Sequence, residues 1–362
     1  MVSSKFFVKM LTGIVALLGA NMAIAANVSI PDTSEMKSRS FSDLQNQFKA
    51  FYEKEWGQTQ PCGETALNRF SVCSNVLRNE GNSPFMLTNK SSSKVAVLIH
   101  GLSDSPFFMR EIANILFEQG FTVVVPLLPG HGKRDASDDM SDWDLAERWQ
   151  AHVDEVIDLA DSMGDTLLVG GFSTGGALAV EHYLDNTADV ANNIDGLMLF
   201  SGALALSDNA ESMSRIWGIK LLARVIDGSY QTHGPNPYKY PNVAGLAGLE
   251  LMDLINTIRD KVEEGQQIEV PLFAAHSQAD VTTPINGIEQ LMEASKGSNT
   301  FFVIDESYEL CHADLVVNTS LLNKMNFNAS MVNQQEECAV PKANPLFSTM
   351  ALMLRDYLSQ FE

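Results

Sequence analysis

Residues 166–179 read TLLVGGFSTGGALA, an apolar run followed by a glycine-rich turn and a run of small residues. The apolar run is typical of a buried strand, and the small residues are typical of the start of a helix. Between them, Gly171-Phe172-Ser173-Thr174-Gly175 has the pattern G-x-S-x-G, in which a serine occupies a sharp, strained turn. Glycines flank the serine because side chains there would clash with the neighbouring strand or helix. The pattern predicts that Ser173 is a nucleophile and not merely part of a turn.

Short apolar runs recur on both sides of this stretch and alternate with amphipathic segments. They are Val95 to His100, Phe121 to Leu127, Thr166 to Phe172, Ile194 to Gly202, Val270 to His276 and Thr300 to Ile304. This alternation predicts an α/β fold in which helices cover both faces of a mostly parallel, doubly wound sheet. One crossover helix is predicted within residues 103–120, with Pro106 near its start and Gly120 as its stop.

Three segments do not follow this alternation. Residues 26–83 contain a predicted helix from Phe41 to Trp56, and we expect them to precede the sheet as an N-terminal extension. Residues 209–268 are too long for an ordinary connection, and we expect a helical cap over an active site. Residues 315–344 are polar and rich in asparagine, and we expect an insertion before a C-terminal helix. The main domain is then expected to span residues 84–362.

Composition excludes two classes of protein. Of the 362 residues, 45% are hydrophobic and 19% are charged, a balance that fits a chain with a large core and not a disordered one. The formal net charge of -21 speaks against a partner that is a nucleic acid or an anionic lipid surface, because proteins that bind such partners carry a basic face.

The length is compatible with two domains or with one large α/β domain that carries insertions.

The first residues are typical of a secretory signal peptide. Two lysines, Lys5 and Lys9, precede an apolar run from Met10 to Ala20, and Ala23-Ile24-Ala25 forms a cleavage site that would remove residues 1–25. The apolar run is shorter than the roughly 20 residues that a membrane-spanning helix needs. We therefore expect an exported protein, periplasmic or secreted, without a stable membrane anchor.

Export would place the four cysteines in an oxidising compartment, where an even number favours disulfides. Three pairings can be drawn among Cys62, Cys73, Cys311 and Cys338. We expect Cys62 to pair with Cys73 and Cys311 with Cys338, because these pairs close the shortest loops. The alternative, a metal site, lacks the usual ligand spacing.

A serine hydroxyl needs a general base within hydrogen-bond reach and an acid that orients the base. Where the three residues occur along the chain in the order Ser, Asp/Glu, His, the base follows a strand near the end of the sequence. His312, which comes eight residues after Ile304, fits this position. His152 and His182 fall within predicted helices, and His276 precedes the candidate acid.

For the acid we predict Asp280, in the turn that follows the buried strand Val270 to His276. Asp305 follows the next strand and is the alternative, whereas Asp314 is too close in sequence to His312 to face its ring. No aspartate stands at the nucleophile position, as dehalogenation or epoxide chemistry would require. The set of residues therefore favours acyl transfer.

Acyl transfer needs two N–H donors for the oxyanion. Thr174, directly after the nucleophile, is predicted to supply the first through its main chain. Leu102, which follows the strand that ends at His100-Gly101, is predicted to supply the second. The alternative for His100-Gly101 is a tight turn without a catalytic role.

With these residues, the chain resembles the α/β-hydrolase superfamily and, within it, the bacterial carboxylesterase and monoacylglycerol lipase group. The resembling stretches are VAVLIHGLSDSPFFMREIANILFEQGFTVVVPLLPGHG (95–132), LLVGGFSTGGALAV (167–180), PLFAAHSQADVTTP (271–284) and LCHADL (310–315). The resemblance implies an α/β-hydrolase fold with a helical cap over the acyl pocket. The N-terminal extension and the insertion at residues 315–344 depart from the family pattern.

By that resemblance Ser173, Asp280 and His312 match the catalytic triad, and Leu102 and Thr174 match the oxyanion hole. His131, in the family loop Pro129-Gly130-His131-Gly132, is interpreted as structural.

The implied function is that of an exported serine carboxylic-ester hydrolase that acts on a small-molecule ester or lipid through an acyl-enzyme. No cofactor and no metal are expected. The alternatives are a serine peptidase or amidase, and a binding protein that keeps the fold without turnover.

Overall fold

The computed structural model describes residues 41–63, 66, 68–185, 193–214, 219–220, 223 and 230–362. The strands are β1 (Arg69–Ser71), β2 (Phe85–Leu87), β3 (Lys94–Ile99), β4 (Thr122–Val125), β5 (Thr166–Phe172), β6 (Gly196–Phe200), β7 (Leu272–Ser277) and β8 (Asn299–Ile304). The α-helices are α1 (Phe41–Trp56), α2 (Arg110–Glu118), α3 (Ser137–Met140), α4 (Leu145–Asp161), α5 (Thr174–Asp185), α6 (Asp208–Ser214), α7 (Gly245–Glu263), α8 (Asn286–Ala294), α9 (Thr319–Lys324) and α10 (Phe347–Leu358).

The eight strands form one sheet in the order β1-β2-β4-β3-β5-β6-β7-β8. Strand β2 runs antiparallel to both β1 and β4, whereas the six strands β3 to β8 are parallel to one another. The predicted α/β fold with a mostly parallel sheet is therefore confirmed.

The N-terminal extension differs from the expectation in one respect. Residues 26–83 were expected to precede the sheet, but Arg69–Ser71 pairs with β2 as the edge strand of that sheet. The three residues of β1 are all half-buried. A strand this short has too few residues to show an alternating pattern, and its pairing depends on β2.

Helices cover both faces of the sheet. Apolar side chains of α1, α4, α5 and α7 pack with β3 and β5 in one buried cluster. Those of α2 and α10 pack in a second cluster on the other face. The central strands are buried on both sides, which is why they read as continuous apolar runs and not as alternating ones.

Helix α1 is part of this core, because Leu44, Phe48 and Tyr52 on one side of it are buried. The hydroxyl oxygen of Tyr52 accepts a hydrogen bond of 3.0 Å from the Leu127 N–H and lies 3.2 Å from Nε2 of His152. The helix thus satisfies a main-chain donor next to β4 and belongs to the packed structure.

The sulfur atoms of Cys62 and Cys73 lie at bonding distance, and so do those of Cys311 and Cys338. This arrangement is compatible with the two local disulfides that the sequence favours.

Strand register places the functional loops side by side. Ile99 of β3 pairs with Gly171 of β5, and Ser277 of β7 pairs with Ile304 of β8. Because these strands are parallel, the loops after their carboxyl ends leave the sheet at one edge.

Two predicted features fall partly or wholly outside the described residues. The signal peptide, residues 1–25, lies wholly outside them. Of the apolar stretch from Trp217 to Ile226 in the expected cap, only residues 219, 220 and 223 are described. None of the described helices has the length and apolar character that crossing a membrane would need.

Candidate active site

Ser173 lies in the turn between β5 and α5. Its main chain has a φ of +54°, in the left-handed region that non-glycine residues rarely adopt. Hydrogen bonds hold this strained turn: the Ser173 N–H donates to Phe200 O, and Ser173 O accepts from the N–H groups of Gly176 and Ala203. The serine side chain is thereby presented at the carboxyl edge of the sheet.

The glycines that flank Ser173 are needed because there is no space for a side chain at either position. A Cβ atom at Gly171 would lie 2.4 Å from the carbonyl oxygen of Ile99, and one at Gly175 would lie 2.1 Å from the same oxygen. Both distances are far below contact, and the oxygen belongs to the main chain of β3. The two glycines of the G-x-S-x-G pattern therefore let β5 and α5 pack closely against β3.

The side chains of Ser173, His312 and Asp280 form a continuous chain of polar contacts. Nε2 of His312 lies 2.9 Å from Oγ of Ser173. On the other edge of the ring, Nδ1 of His312 lies 2.6 Å from Oδ2 of Asp280. The structure thus brings together the three residues that the sequence analysis selected, although Ser173 and His312 are 139 positions apart.

Asp280 is fully buried and is held by the loop that follows β7. Its Oδ1 accepts hydrogen bonds from the main-chain N–H groups of Thr282 (2.9 Å) and Thr283 (3.0 Å). Burial alone would raise the pKa of Asp280, but the neighbouring His312 outweighs it and holds this pKa below the usual range. The carboxylate is therefore ionised at neutral pH and accepts the Nδ1–H of His312.

Thr283 is a site residue that the sequence analysis missed. Its Oγ1 donates to Oδ2 of Asp280 at 3.1 Å and lies 3.1 Å from Nδ1 of His312. Its carbonyl oxygen lies 2.7 Å from Nε2 of His276. The only available signal was its position, three residues after Asp280 in the same turn.

The two predicted oxyanion donors lie on adjacent loops. Leu102 lines the same cavity as Ser173 and His312. Thr174 is the first residue of α5, where the main-chain N–H groups have no acceptor within the helix and the helix dipole is positive. A negatively charged oxygen next to Ser173 would be stabilised in this position.

His131, which we interpreted as structural, contacts the Leu102 loop directly. Its Nε2 lies 2.5 Å from the carbonyl oxygen of Leu102, and its Nδ1 lies 2.9 Å from that of Pro129. The ring is buried and packs between His100 and Trp149. His131 therefore fixes the peptide group that follows Leu102, a contact between residues 29 positions apart that no local pattern predicts.

The alternative acid and bases lie elsewhere. Asp305 is exposed and caps a short helical turn by accepting from the Ser307 N–H. His152 contacts Tyr52, and His182 contacts Asp154. Each of these side chains therefore has a partner outside the Ser173 site.

His276 is fully buried next to Asp280, with its Nε2 3.6 Å from Oδ2 of Asp280. It supports the loop that carries Asp280 but does not contact Ser173.

A cavity of about 1290 Å³ lies over Ser173. One part of its wall is apolar and comes from described residues between positions 206 and 223 and between positions 243 and 251. These residues are Leu206, Ala210, Ile219, Ala223, Val243, Leu249 and Leu251.

The other part of the wall comes from the loop of residues 325–341, within the expected insertion. We refer to it as the 325–341 loop. Its lining residues are Phe327, Met331, Val332, Asn333, Glu336, Cys338, Ala339 and Pro341.

The 325–341 loop is joined to the turn that carries His312 at two points. The sulfur atom of Cys338 lies at bonding distance from that of Cys311, the residue before His312. Oδ1 of Asp314 accepts a 3.0 Å hydrogen bond from the N–H of Lys342, just after the loop. Burial raises the pKa of Asp314 to about 6. The insertion thus forms a wall of the cavity beside His312.

No group of three or more His, Cys, Asp or Glu side chains within the described ranges is arranged to hold a metal ion.

Comparison with known proteins places this geometry in a family. Residues 96–279, about half of the chain, match the alpha/beta hydrolase family. A thermostable monoacylglycerol lipase of Bacillus sp. (strain H-257) is 32% identical over 108 residues, which are 29% of this chain. The match spans 41% of the length of that lipase.

Two solved structures share the fold. A structure from a report on two metagenome-derived lipolytic enzymes, LipS and LipT, superposes with a TM-score of 0.51 at 20% identity over 64% of this chain and 90% of its own. The monoacylglycerol lipase of Paleococcus ferrophilus has a TM-score of 0.50 at 17% identity over 75% of this chain and 97% of its own. The resemblance stated from the sequence is confirmed, and the chain belongs to the alpha/beta hydrolase family.

Proposed function

We propose that this protein is an exported serine hydrolase of carboxylic esters, with Ser173 as nucleophile, His312 as general base and Asp280 as the orienting acid. The observation that carries the proposal is the chain of contacts from Ser173 Oγ to His312 Nε2 (2.9 Å) and from His312 Nδ1 to Asp280 Oδ2 (2.6 Å). A base within hydrogen-bond reach of a serine is the arrangement that activates the hydroxyl.

In the first half of the reaction, Oγ of Ser173 attacks the ester carbonyl carbon and its proton passes to Nε2 of His312. The carbonyl oxygen becomes an anion that the N–H groups of Leu102 and Thr174 stabilise. The bond to the alcohol then breaks, and Nε2 returns the proton to the leaving alcohol oxygen. The product of this half is an acyl-enzyme on Ser173 and a free alcohol.

In the second half, His312 takes a proton from water, and the resulting hydroxide attacks the acyl carbonyl. The tetrahedral intermediate uses the same two N–H groups. Collapse returns the proton to Ser173 Oγ and releases the carboxylic acid. Asp280 stays ionised throughout and stabilises the imidazolium of His312.

The apolar part of the cavity wall supports an acyl group with apolar character. Leu206, Leu249 and Leu251 are among the residues that line it. Burial of an alkyl chain against them would contribute roughly 0.8 kcal/mol for each methylene group. The bacterial relative with detectable sequence identity is described as a monoacylglycerol lipase, which is in keeping with such a substrate.

The proposal is tested with a fluorophosphonate probe and a panel of substrates. The probe is expected to label Ser173, and Ser173→Ala is expected to lose both labelling and ester hydrolysis. The panel contains p-nitrophenyl esters of increasing acyl length, a monoacylglycerol and an aminoacyl amide. Labelling that persists in Ser173→Ala would refute the nucleophile, and faster cleavage of the amide than of the esters would refute the ester hydrolase.

Export is tested separately, by N-terminal sequencing of the protein recovered from the periplasm or the medium. The first residue is expected to be Ala26. Recovery of the protein only from the cytoplasm, with Met1 retained, would contradict this part of the proposal.

A further inference from the structure

The connection between β1 and β2, residues 72–84, lies at the same edge of the sheet as Ser173. Strand β2 runs antiparallel to β4, and Phe85 at the start of β2 pairs with Val125 at the end of β4. The chain therefore enters β2 at the edge where the parallel strands end, and the connection before it lies among the loops of that edge. We refer to residues 72–84 as the β1–β2 connection.

Main-chain contacts with the loop that follows β4 anchor the β1–β2 connection. The Arg78 N–H donates to Gly132 O at 2.9 Å, and the Arg134 N–H donates to Val76 O at 2.8 Å. The side chain of Arg78 therefore extends from a main chain that is held in place.

The guanidinium of Arg78 holds a segment of the cavity wall, residues 236–240. This segment is neither helix nor strand, so its carbonyl groups need hydrogen-bond partners from outside it. Arg78 donates to two of these carbonyls, that of Asn236 at 2.7 Å and that of Lys239 at 3.0 Å. Because the guanidinium is planar and rigid, the two bonds together fix the course of the segment.

Tyr238, in the middle of this segment, packs against two neighbouring parts of the chain. Its ring stacks on that of Phe107, with centroids 3.7 Å apart. The same ring lies so close to Gly81 that a Cβ atom there would be 2.1 Å from its Cε1 atom. The carbonyl of Pro237 accepts a 2.7 Å hydrogen bond from the Asn79 amide. The segment is therefore packed tightly against the β1–β2 connection.

The same segment in turn holds the loop after β3 that carries Leu102. The Tyr240 N–H donates to Ser103 O at 2.7 Å, and the Ser105 hydroxyl donates to Tyr238 O at 2.9 Å. Ser103 follows Leu102 directly. A continuous set of hydrogen bonds thus leads from the β1–β2 connection, through the cavity wall, to the loop whose N–H we assign to the oxyanion hole.

We propose that Arg78 is a positioning residue for ester hydrolysis: through the 236–240 segment it keeps the Leu102 N–H oriented towards the oxyanion. The inference rests on the proposed function. Arg78 is described in the structure but is not among the residues that line the cavity. It therefore acts through the segment that it holds, and the N-terminal extension takes part in catalysis by this route.

The test compares Arg78→Ala with the unmodified protein in the hydrolysis of p-nitrophenyl butyrate. The variant is expected to have a kcat lower by roughly tenfold with an unchanged KM, because the oxyanion forms only on the way to the transition state. Affinity for butylboronic acid, whose tetrahedral adduct on Ser173 mimics the oxyanion, is expected to fall by the same factor. The acid limb of the pH profile of kcat should keep its position, because His312 is not displaced.

Added guanidinium ion separates a positioning role from a merely structural one. At concentrations well below those that unfold the protein, the ion is expected to restore part of kcat to Arg78→Ala, because it can donate to the carbonyls of Asn236 and Lys239. Tetramethylammonium, which has no N–H group, should have no effect at the same concentration.

Arg134→Ala is the matched control. The Arg134 guanidinium donates to the Asn75 carbonyl of the same connection, so its loss should leave kcat and boronic acid affinity unchanged. A loss of kcat in Arg134→Ala equal to that in Arg78→Ala would overturn the proposal, because it would show a general effect of the connection and not the hold on residues 236–240.

Three results with Arg78→Ala would also overturn the proposal: an unchanged kcat, a lowered kcat with unchanged affinity for butylboronic acid, or a lowered kcat that guanidinium does not raise. If this variant is unfolded at the assay temperature, Arg78→Lys is used, which keeps the charge but not the planar pair of N–H groups. Its kcat is expected to fall by about twofold or more, and an unchanged kcat would refute the role of Arg78. Absence of ester hydrolysis in the unmodified protein would instead refute the proposed function itself.

Discussion

Nε2 of His131 lies 2.5 Å from the carbonyl oxygen of Leu102, the residue whose N–H we assign to the oxyanion hole. The contact fixes the orientation of the Leu102 loop from behind. His131 contacts neither Ser173 nor the cavity and is therefore a positioning residue.

His131→Ala is expected to lower kcat by about tenfold or more with little change in KM. Without the His131 contact, the Leu102 N–H would no longer be oriented towards the negatively charged oxygen of the transition state. His131→Gln is the conservative control, since its amide N–H can still donate to Leu102 O, and it should restore part of kcat. Steady-state kinetics with p-nitrophenyl butyrate check both variants. A loss confined to thermal stability, with kcat unchanged, would show that the contact serves folding alone.

Asp280→Asn is expected to reduce kcat by about 10³–10⁴ with little loss of stability, because the amide has the same shape but cannot stabilise the His312 imidazolium. The matched control is Asp305→Asn, since Asp305 is exposed and its side chain accepts hydrogen bonds from Ser307. Kinetics and circular dichroism are measured on both proteins. A large loss of turnover in Asp305→Asn, with Asp280→Asn active, would assign the acid to the other strand.

Removal of the Cys311–Cys338 bond by Cys338→Ser is expected to lower the free energy of unfolding by about 3 kcal/mol and to lower turnover as well. The bond joins the 325–341 loop to the residue before His312, so its loss should loosen the base while Ser173 remains in its turn. Fluorophosphonate labelling should become slower but stay detectable.

Cys73→Ser is the matched control, because Cys62–Cys73 closes a loop of 11 positions, and none of the loop residues that the structure describes lines the cavity. It should lower stability by a similar amount and leave turnover unchanged. Unchanged turnover in Cys338→Ser would show that packing alone holds the His312 turn.

The contribution of His152 to stability is expected to be lost as the pH falls below about 6.5, while the raised pKa of Asp314 contributes in the opposite direction. Burial lowers the pKa of His152 to about 4, so the folded state resists a proton that the unfolded chain accepts near pH 6.5. The stability due to this neutral imidazole is present above pH 6.5 and is lost between about pH 6.5 and 4, by about 3 kcal/mol. Burial lowers the pKa of His100, His131 and His276 in the same direction.

Urea unfolding at pH 7.5, 6.0 and 5.0 measures this dependence. His152→Gln keeps a polar partner for Tyr52, and the difference in free energy of unfolding between the unmodified protein and this variant should shift against the unmodified protein as the pH falls. Identical slopes for the two proteins would show that His152 does not contribute.

Much of the site was predictable because its members follow local rules. The glycines on both sides of Ser173 identify it in the sequence. They are needed because the carbonyl oxygen of Ile99 leaves no space for a side chain at these positions. Asp280 and His312 are marked by their places after β7 and β8, since parallel strands bring their carboxyl ends to one edge. The parallel sheet was predictable because strands that are buried on both faces leave continuous apolar runs.

The remaining features depend on contacts between distant segments. Nothing near His131 shows that its ring meets the main chain of Leu102. The pairing of β1 depends on only three residues, and the polar 325–341 loop has no periodicity to indicate that it lines the cavity. Thr283 contacts Asp280 within its own turn, and it contacts His312 because the chain brings the two loops together.

The separation of 139 positions between Ser173 and His312 has a consequence for biosynthesis. Strands β3, β5 and β6, which shape the turn around Ser173, all leave the ribosome before the segment that holds His312. Chains that fold as they emerge can therefore build the serine turn while its partner is still untranslated. On the proposed mechanism, the polypeptide hydrolyses nothing until the segment that holds His312 has been made and joined to the sheet.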